Sequence, residues 1–112
     1  DKIKIDSFEV RHGLINATAY VFNKIAYLSD CSHVPQKSKK YLRNLDYLII
    51  DCLRYKQHPS HLNLDEAIFL SKELKAKKTI LTNLHVELDY NKLKSKLPSN
   101  ITPAYDGMSF TF

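Results

Sequence analysis

Three apolar runs constrain the fold of this chain more than anything else in it, because each delivers a polar, chemically capable side chain at its exit. They are Ala26-Tyr27-Leu28-Ser29-Asp30, Tyr47-Leu48-Ile49-Ile50-Asp51 and Thr79-Ile80-Leu81-Thr82-Asn83-Leu84-His85. Apolar runs of this length suit buried strands better than helices. Helix signals lie between and after them, so strands and helices alternate and part of the sheet should be parallel. The exits of parallel strands fall on one sheet edge. Asp30, Asp51 and His85 are therefore expected to converge there, joined by His12 from a fourth, alternating segment.

Local patterns fill in the order. From Lys2 to Val10, Ile3 and Ile5 alternate, slip phase at Ser7 and resume as Phe8 and Val10, which predicts a bulged strand. Strands over 17–22 and 24–29 flank Asn23-Lys24, a tight turn because Asn tolerates a left-handed backbone. Pro35 opens a short helix over 36–45, since its missing N–H does no harm at a helix start. Asn63 and Glu66 have the spacing of a capping box, followed by an apolar stripe of Leu64, Ala67, Ile68 and Leu74. Asp89 caps a helix over 90–97 that stops before Pro98, and 102–112 closes the chain as a strand with a turn near Asp106-Gly107.

At 112 residues this is one domain or part of one. A hydrophobic fraction of 44% with only 2 glycines and 4 prolines argues for a folded chain. No apolar run approaches the roughly 20 residues that span a bilayer, and no charged-then-apolar leader is visible, so the cytosol is the expected compartment and no membrane is expected as a partner. Cys31 and Cys52 should be reduced thiols. The net charge of +5 comes largely from lysines on the expected helices, which suits solvated faces or a phosphate-bearing small substrate. Nucleic acid is not the expected partner, because no basic patch is interleaved with aromatics. Starting at Asp1 and entering a strand almost at once, the chain reads as a cleaved or excerpted piece.

Several blocks together resemble a known family. They are Arg11-His12-Gly13, Tyr27-Leu28-Ser29-Asp30, Leu48-Ile49-Ile50-Asp51-Cys52-Leu53-Arg54, the stretch from His58 to Ala67 with His61 inside it, Leu81-Thr82-Asn83-Leu84-His85, and Pro103-Ala104-Tyr105-Asp106-Gly107-Met108. In order and spacing they resemble the C-terminal half of the metallo-β-lactamase superfamily, in the branch of cyclic-phosphodiesterase-like hydrolases related to the phosphodiesterase associated with carbon-phosphorus lyase. The resemblance implies an α/β fold: half of an αββα sandwich, one mixed sheet with helices on its outer face. It further implies a site for two divalent metals, zinc or manganese, with His12 as a ligand and Asp30 bridging both cations. That donor set suits such metals, and a carboxylate can offer one oxygen to each of two cations.

Two departures from the family pattern matter. Its strongest signature, a His-x-His-x-Asp-His cluster, is absent from these 112 residues, so the metal site is incomplete here. At the last motif many relatives place a His directly after the strand's Thr; here Asn83 stands there and His85 lies two residues on. His85 is taken as the ligand, leaving Asn83 as a substrate contact.

For most of these residues a plain structural role competes with the chemical one. His12 could be a loop histidine, and Asp30 could cap the backbone N–H groups of Cys31-Ser32-His33. Asp51 is expected to orient a ligand or His61 and so to serve the chemistry indirectly. His61 is the expected proton donor to a leaving oxygen, with His58 either a substrate contact or loop packing. Arg54 could hold a phosphate or pair with Asp51 or Asp65. The functional expectation is a metal-dependent hydrolase of a small cyclic or nucleotide-like phosphodiester, active when complemented by the missing half. The alternatives are a non-catalytic remnant that folds by self-association and, more weakly, a nucleic-acid-processing or -binding module. Half a sandwich would expose Ile3, Ile5, Ile49, Ile50, Ile80 and Leu81, so a homodimer or pairing with the missing half is expected.

Overall fold

The computed structural model describes residues 4–84 and 89–110. Six strands form one mixed sheet in sequence order: β1 (Asp6–His12), β2 (Ile15–Phe22), β3 (Ile25–Leu28), β4 (Tyr47–Asp51), β5 (Lys78–Thr82) and β6 (Ile101–Pro103). The first three are antiparallel neighbours, and β3 to β6 run parallel. Because β1 opposes β2 and β2 opposes β3, β1 shares the direction of the parallel block. The exits of β1, β3, β4 and β5 therefore share an edge. Asn23 and Lys24, at φ 45° and 63°, make the two-residue turn between β2 and β3.

The sheet's register decides which face is core. Ala26 and Leu28 pair with Leu48 and Ile50, which pair in turn with Thr79 and Leu81. All six are buried, on the face covered by Ala67 and Leu70 of α1 (Leu64–Leu74), Leu93 of α2 (Tyr90–Lys96), and Leu42 and Leu45 from the segment after the 3-10 helix Gln36–Tyr41. On the opposite face the row Tyr20, Tyr27, Ile49, Ile80 crosses four strands. Tyr20 and Tyr27 are 44% and 40% exposed there, and Phe110 returns to stack on Tyr47 with ring centroids 4.2 Å apart.

Several expectations need correction. Pairing of β1 with β2 is uninterrupted from Asp6↔Val21 to His12↔Ile15, so the described strand has no bulge. Ser7, where the phase slips in sequence, pairs in register with Tyr20; Ile5 lies before the strand, and His12 is the strand's last residue. The helix expected over 36–45 is only the 3-10 helix Gln36–Tyr41, where the buried Ser38 donates its hydroxyl to the Glu9 carbonyl (2.7 Å). The strand expected over 102–112 is three residues long; Pro103 has no N–H to extend a ladder, and Gly107 turns the chain at φ 84°. Ile50 and Leu81 are fully buried and Ile80 is 6% exposed, so they do not form an open face, whereas Ile5 is 60% exposed. Ile3 lies outside the described residues.

The capping box is present in both directions: Asn63 Oδ1 accepts from Glu66 N (2.8 Å) and Glu66 Oε1 from Asn63 N (2.9 Å). It fixes the start of α1 at Leu64, three residues after His61. Replacing Asn63 by Ala should lower unfolding stability by about 1 kcal/mol, read as a fall in urea midpoint at unchanged slope. An unmoved midpoint would show that the cap does not hold this helix.

Candidate metal centre

The shared sheet edge is drawn together by backbone bonds. β1 has a free edge, and residues 32–33 attach to it: Arg11 N donates to His33 O (2.9 Å) and Ser32 N to Arg11 O (2.7 Å). The loop leaving β3 thus carries Asp30 across β2 toward His12. A second loop closes on itself through Leu53 N to Leu62 O (3.0 Å) and hangs from the first through Leu62 N to Cys31 O (2.9 Å). This brings His61 to the same place. Donor atoms of His12, Asp30 and His61 lie within 4.8 Å of one another, a group able to hold a divalent cation.

Each imidazole is held by one nitrogen. His12 Nδ1 meets the Ser60 carbonyl at 2.8 Å, and since a carbonyl only accepts, Nδ1 carries the proton and Nε2 keeps its lone pair. His61 Nδ1 meets Asp51 Oδ2 in the same way, which frees its Nε2. The rings of His12 and His61 pack edge to face at 4.9 Å. Asp30 is exposed and leaves the Cys31 N–H to Asp51 Oδ2 (3.1 Å), so the capping role considered for Asp30 falls to Asp51 at that donor.

Asp51 has no exposure to water. Burial pushes its carboxyl above the ordinary range, and the Cys31 N–H, His61 and Asn83 pull the other way by donating to the charged form. Burial, with the Asp51 charge adding, also pushes the thiols of Cys31 and Cys52 up to about 12.

The remaining expected residues divide. Arg54 donates Nε to Lys56 O (3.3 Å) and Nη2 to Gln57 O (2.8 Å), holding its own loop and forming neither expected ion pair. His58 Nδ1 accepts from Ser60 N (3.0 Å), and its ring stands 5.2 Å from that of His61. Partial desolvation first, and the nearby Arg54 cation second, push the His58 pKa down. Asn83 donates to Asp51 and to the Ser29 carbonyl. His85 lies outside the described residues.

Sequence reasoning missed Ser60, Ser32 and the packing of Gly13. Ser32 Oγ accepts from Gly13 N (3.1 Å) and donates to Arg11 O (3.2 Å), pinning the turn after His12. Gly13 sits at φ 65°, and a Cβ there would come 2.6 Å from Ser60 Oγ, beside the carbonyl that holds His12. The one signal available was a Gly directly after a candidate ligand.

Residues 1–83 match the family described as beta-lactamase superfamily domain, and the chain belongs to that family. Among solved structures, a diphosphatase from the PhnP family shares 37% identity with a TM-score of 0.95 over 98% of this chain and 44% of its own length. Human tRNase Z, short form, matches at 24% identity and TM-score 0.72, over 96% of this chain and 42% of that one. The metallo-beta-lactamase fold protein YhfI from Bacillus subtilis matches at 21% and 0.77, over 95% and 48%. These last two establish the fold alone. In sequence, a Porphyromonas gingivalis protein named octanoyltransferase is 28% identical over 109 residues, 95% of this chain and 22% of that protein. The chain thus spans less than half the length of each of these relatives. No helix among the described residues is long and apolar enough to cross a membrane.

Two outcomes follow from this geometry. Gly13→Ala should cost about 1–2 kcal/mol from the left-handed backbone alone, plus the clash with Ser60. Adding Ser60→Ala should restore only the clash part, measured by urea unfolding; full restoration would mean that the backbone conformation costs nothing. For the thiols, a pKa near 12 leaves about one molecule in ten thousand ionised at pH 8, so both cysteines should resist alkylation until urea unfolds the chain. Rapid labelling of the folded chain would contradict their burial.

Proposed function

We propose that this chain forms the C-terminal half of a divalent-metal-dependent phosphodiesterase acting on a small cyclic or nucleotide-like substrate. The observation that carries this reading is the convergence of His12, Asp30 and His61 on one sheet edge, with both imidazoles held through Nδ1. The donor set fits such a cation: the Nε2 lone pair of His12 and an exposed carboxylate, with His61 brought to the same place. His12 and Asp30 would hold it, with His85 as the further ligand from this chain and Asp30 shared between two cations, zinc or manganese, in the completed site. When bound, such cations supply positive charge for phosphoryl oxygens and lower the pKa of water.

The chain's own residues would do the rest. His61, backed by the buried Asp51 anion, would give a proton from Nε2 to the departing oxygen, and Asp51 would stabilise the imidazolium before transfer. His58 would offer its Nε2–H to the substrate. Beside it a cleft of about 490 Å³, lined by Ser32, Gln57, His58, Pro59 and Glu66, falls within the roughly 300–1,000 Å³ range of small-ligand pockets. The 37% identity to a diphosphatase supports hydrolysis at phosphorus.

The row of Tyr20, Tyr27 and Ile49 would seat the complementary half, or a second copy when that half is absent. The non-catalytic reading, a chain that folds by self-association without turnover, rests on the same face.

Metal content and hydrolysis of an aryl phosphodiester test the proposal. Alone, the chain should bind less than two metals and turn over little, since a catalytic zinc site takes about three protein ligands per metal. Joined to a half carrying the His-rich cluster, Asp30→Ala should abolish turnover and lower metal content. In that context His61→Ala should cost about 10²–10⁴-fold in turnover with metal retained. Near-normal activity and full metal in Asp30→Ala would overturn the reading, and metal loss in His61→Ala would make His61 a ligand instead of a proton donor.

A further inference from the structure

We infer that Asn83 is a positioning residue: its amide nitrogen ties together the exits of β3, β4 and β5 and fixes the Asp51 carboxylate against His61. Asn83 is the first residue past β5, at φ 60°, a left-handed conformation that Asn adopts more readily than most side chains. From there Nδ2 donates to Asp51 Oδ1 (2.9 Å), at the end of β4, and to the carbonyl of Ser29, just past β3. An amide nitrogen has two hydrogens, and both are committed. A carbonyl and an ionised carboxylate can only accept, so they determine which end of the amide faces inward.

That orientation separates Asn83 from a ligand. An amide nitrogen has no lone pair to give a cation, and the oxygen, which could ligate, lies on the other side of Cγ from the two acceptors. The side chain at the place where the family pattern carries a His has therefore been given to the support of Asp51.

The consequence for the site runs through one buried carboxylate. Oδ2 of Asp51 accepts from Cys31 N at 3.1 Å and from His61 Nδ1, while Oδ1 takes the Asn83 amide. A carboxylate held at both oxygens cannot swing about its Cβ–Cγ bond. Release of Oδ1 would leave that oxygen buried with its Asn83 bond gone and let Oδ2 drift from His61. Ser29 and Asp30 are adjacent, so the same amide also anchors the loop that brings Asp30 to the edge. The inference about His61 concerns the metal-free chain and stands apart from the proposed function; its bearing on metal affinity rests on that reading.

The test follows the Nδ1–H proton of His61 by NMR in the isotope-labelled, metal-free chain, assigned by its loss in His61→Gln. Asn83→Gly keeps the left-handed backbone and removes only the amide. It should shift this resonance upfield or broaden it beyond detection, and it should weaken zinc binding by about 10-fold or more, as loss of a supporting contact does. Asn83→Asp, which keeps the side chain's shape and replaces the donor by an acceptor, should disturb the same proton and covers the case in which the Gly variant does not fold. Asn83→His should also weaken zinc binding, because it forfeits both bonds. An undisturbed His61 resonance in Asn83→Gly and Asn83→Asp would overturn the inference, as would tighter zinc binding by Asn83→His. Failure of the unaltered chain to bind zinc would tell against the metal reading alone, since the resonance still reports on Asn83.

Discussion

The edge of this sheet is organised around one carboxylate that has no contact with water. An ionised group in that position is costly unless donors replace its hydration, and Asp51 draws donors from three segments: the Cys31 N–H, the His61 ring and the Asn83 amide. Each of those segments leaves or follows a different strand. The charge at the end of β4 therefore holds the loops around it in one arrangement, and the chemically useful atoms follow: His61 with Nε2 directed away from Asp51, and Asp30 on a loop whose next residue is bonded to the same carboxylate. An apolar residue at 51 would fill the space and remove the reason for the loops to meet.

The other half of the arrangement is mechanical. His12 lies at the end of an edge strand two places from β3, yet it reaches Asp30 because the loop after β3 crosses over and pairs with Arg11. Ser60 supplies a carbonyl to His12 from the loop that carries His61, so the two imidazoles share a support. A site assembled this way needs no long element. It needs short loops bonded to one another, and Gly13 suits its place because the backbone turns there at φ 65° and a Cβ would press on the Ser60 hydroxyl.

Much of this was legible in sequence, with a physical boundary to what could be read. Apolar runs with polar exits located β3, β4 and β5, and β4 begins and ends where Tyr47 and Asp51 suggested. The Asn63/Glu66 spacing located α1, and Asp89 the start of α2. These signals are local. The faces of the parallel strands were not legible, because Leu48, Ile49 and Ile50 are all apolar and only the register shows that Ile50 looks toward the helices while Ile49 looks away. Nor were the supports: Ser60 lies 48 residues from His12 and Asn83 lies 32 from Asp51, separations at which a serine carbonyl or an asparagine amide leaves no pattern. The residues that offer chemistry announce themselves by type, whereas those that aim them do so only in three dimensions.

The chemistry of this edge depends on its holding a cation where the side chains converge. Anomalous diffraction at the zinc edge from crystals of the chain grown with zinc addresses that directly. The expected result is a peak about 2.0–2.2 Å from His12 Nε2 and from an Asp30 oxygen, with the His61 ring facing it and Asp51 still bonded to His61 Nδ1. Zinc bound elsewhere, or no peak among His12, Asp30 and His61 at saturating zinc, would contradict it.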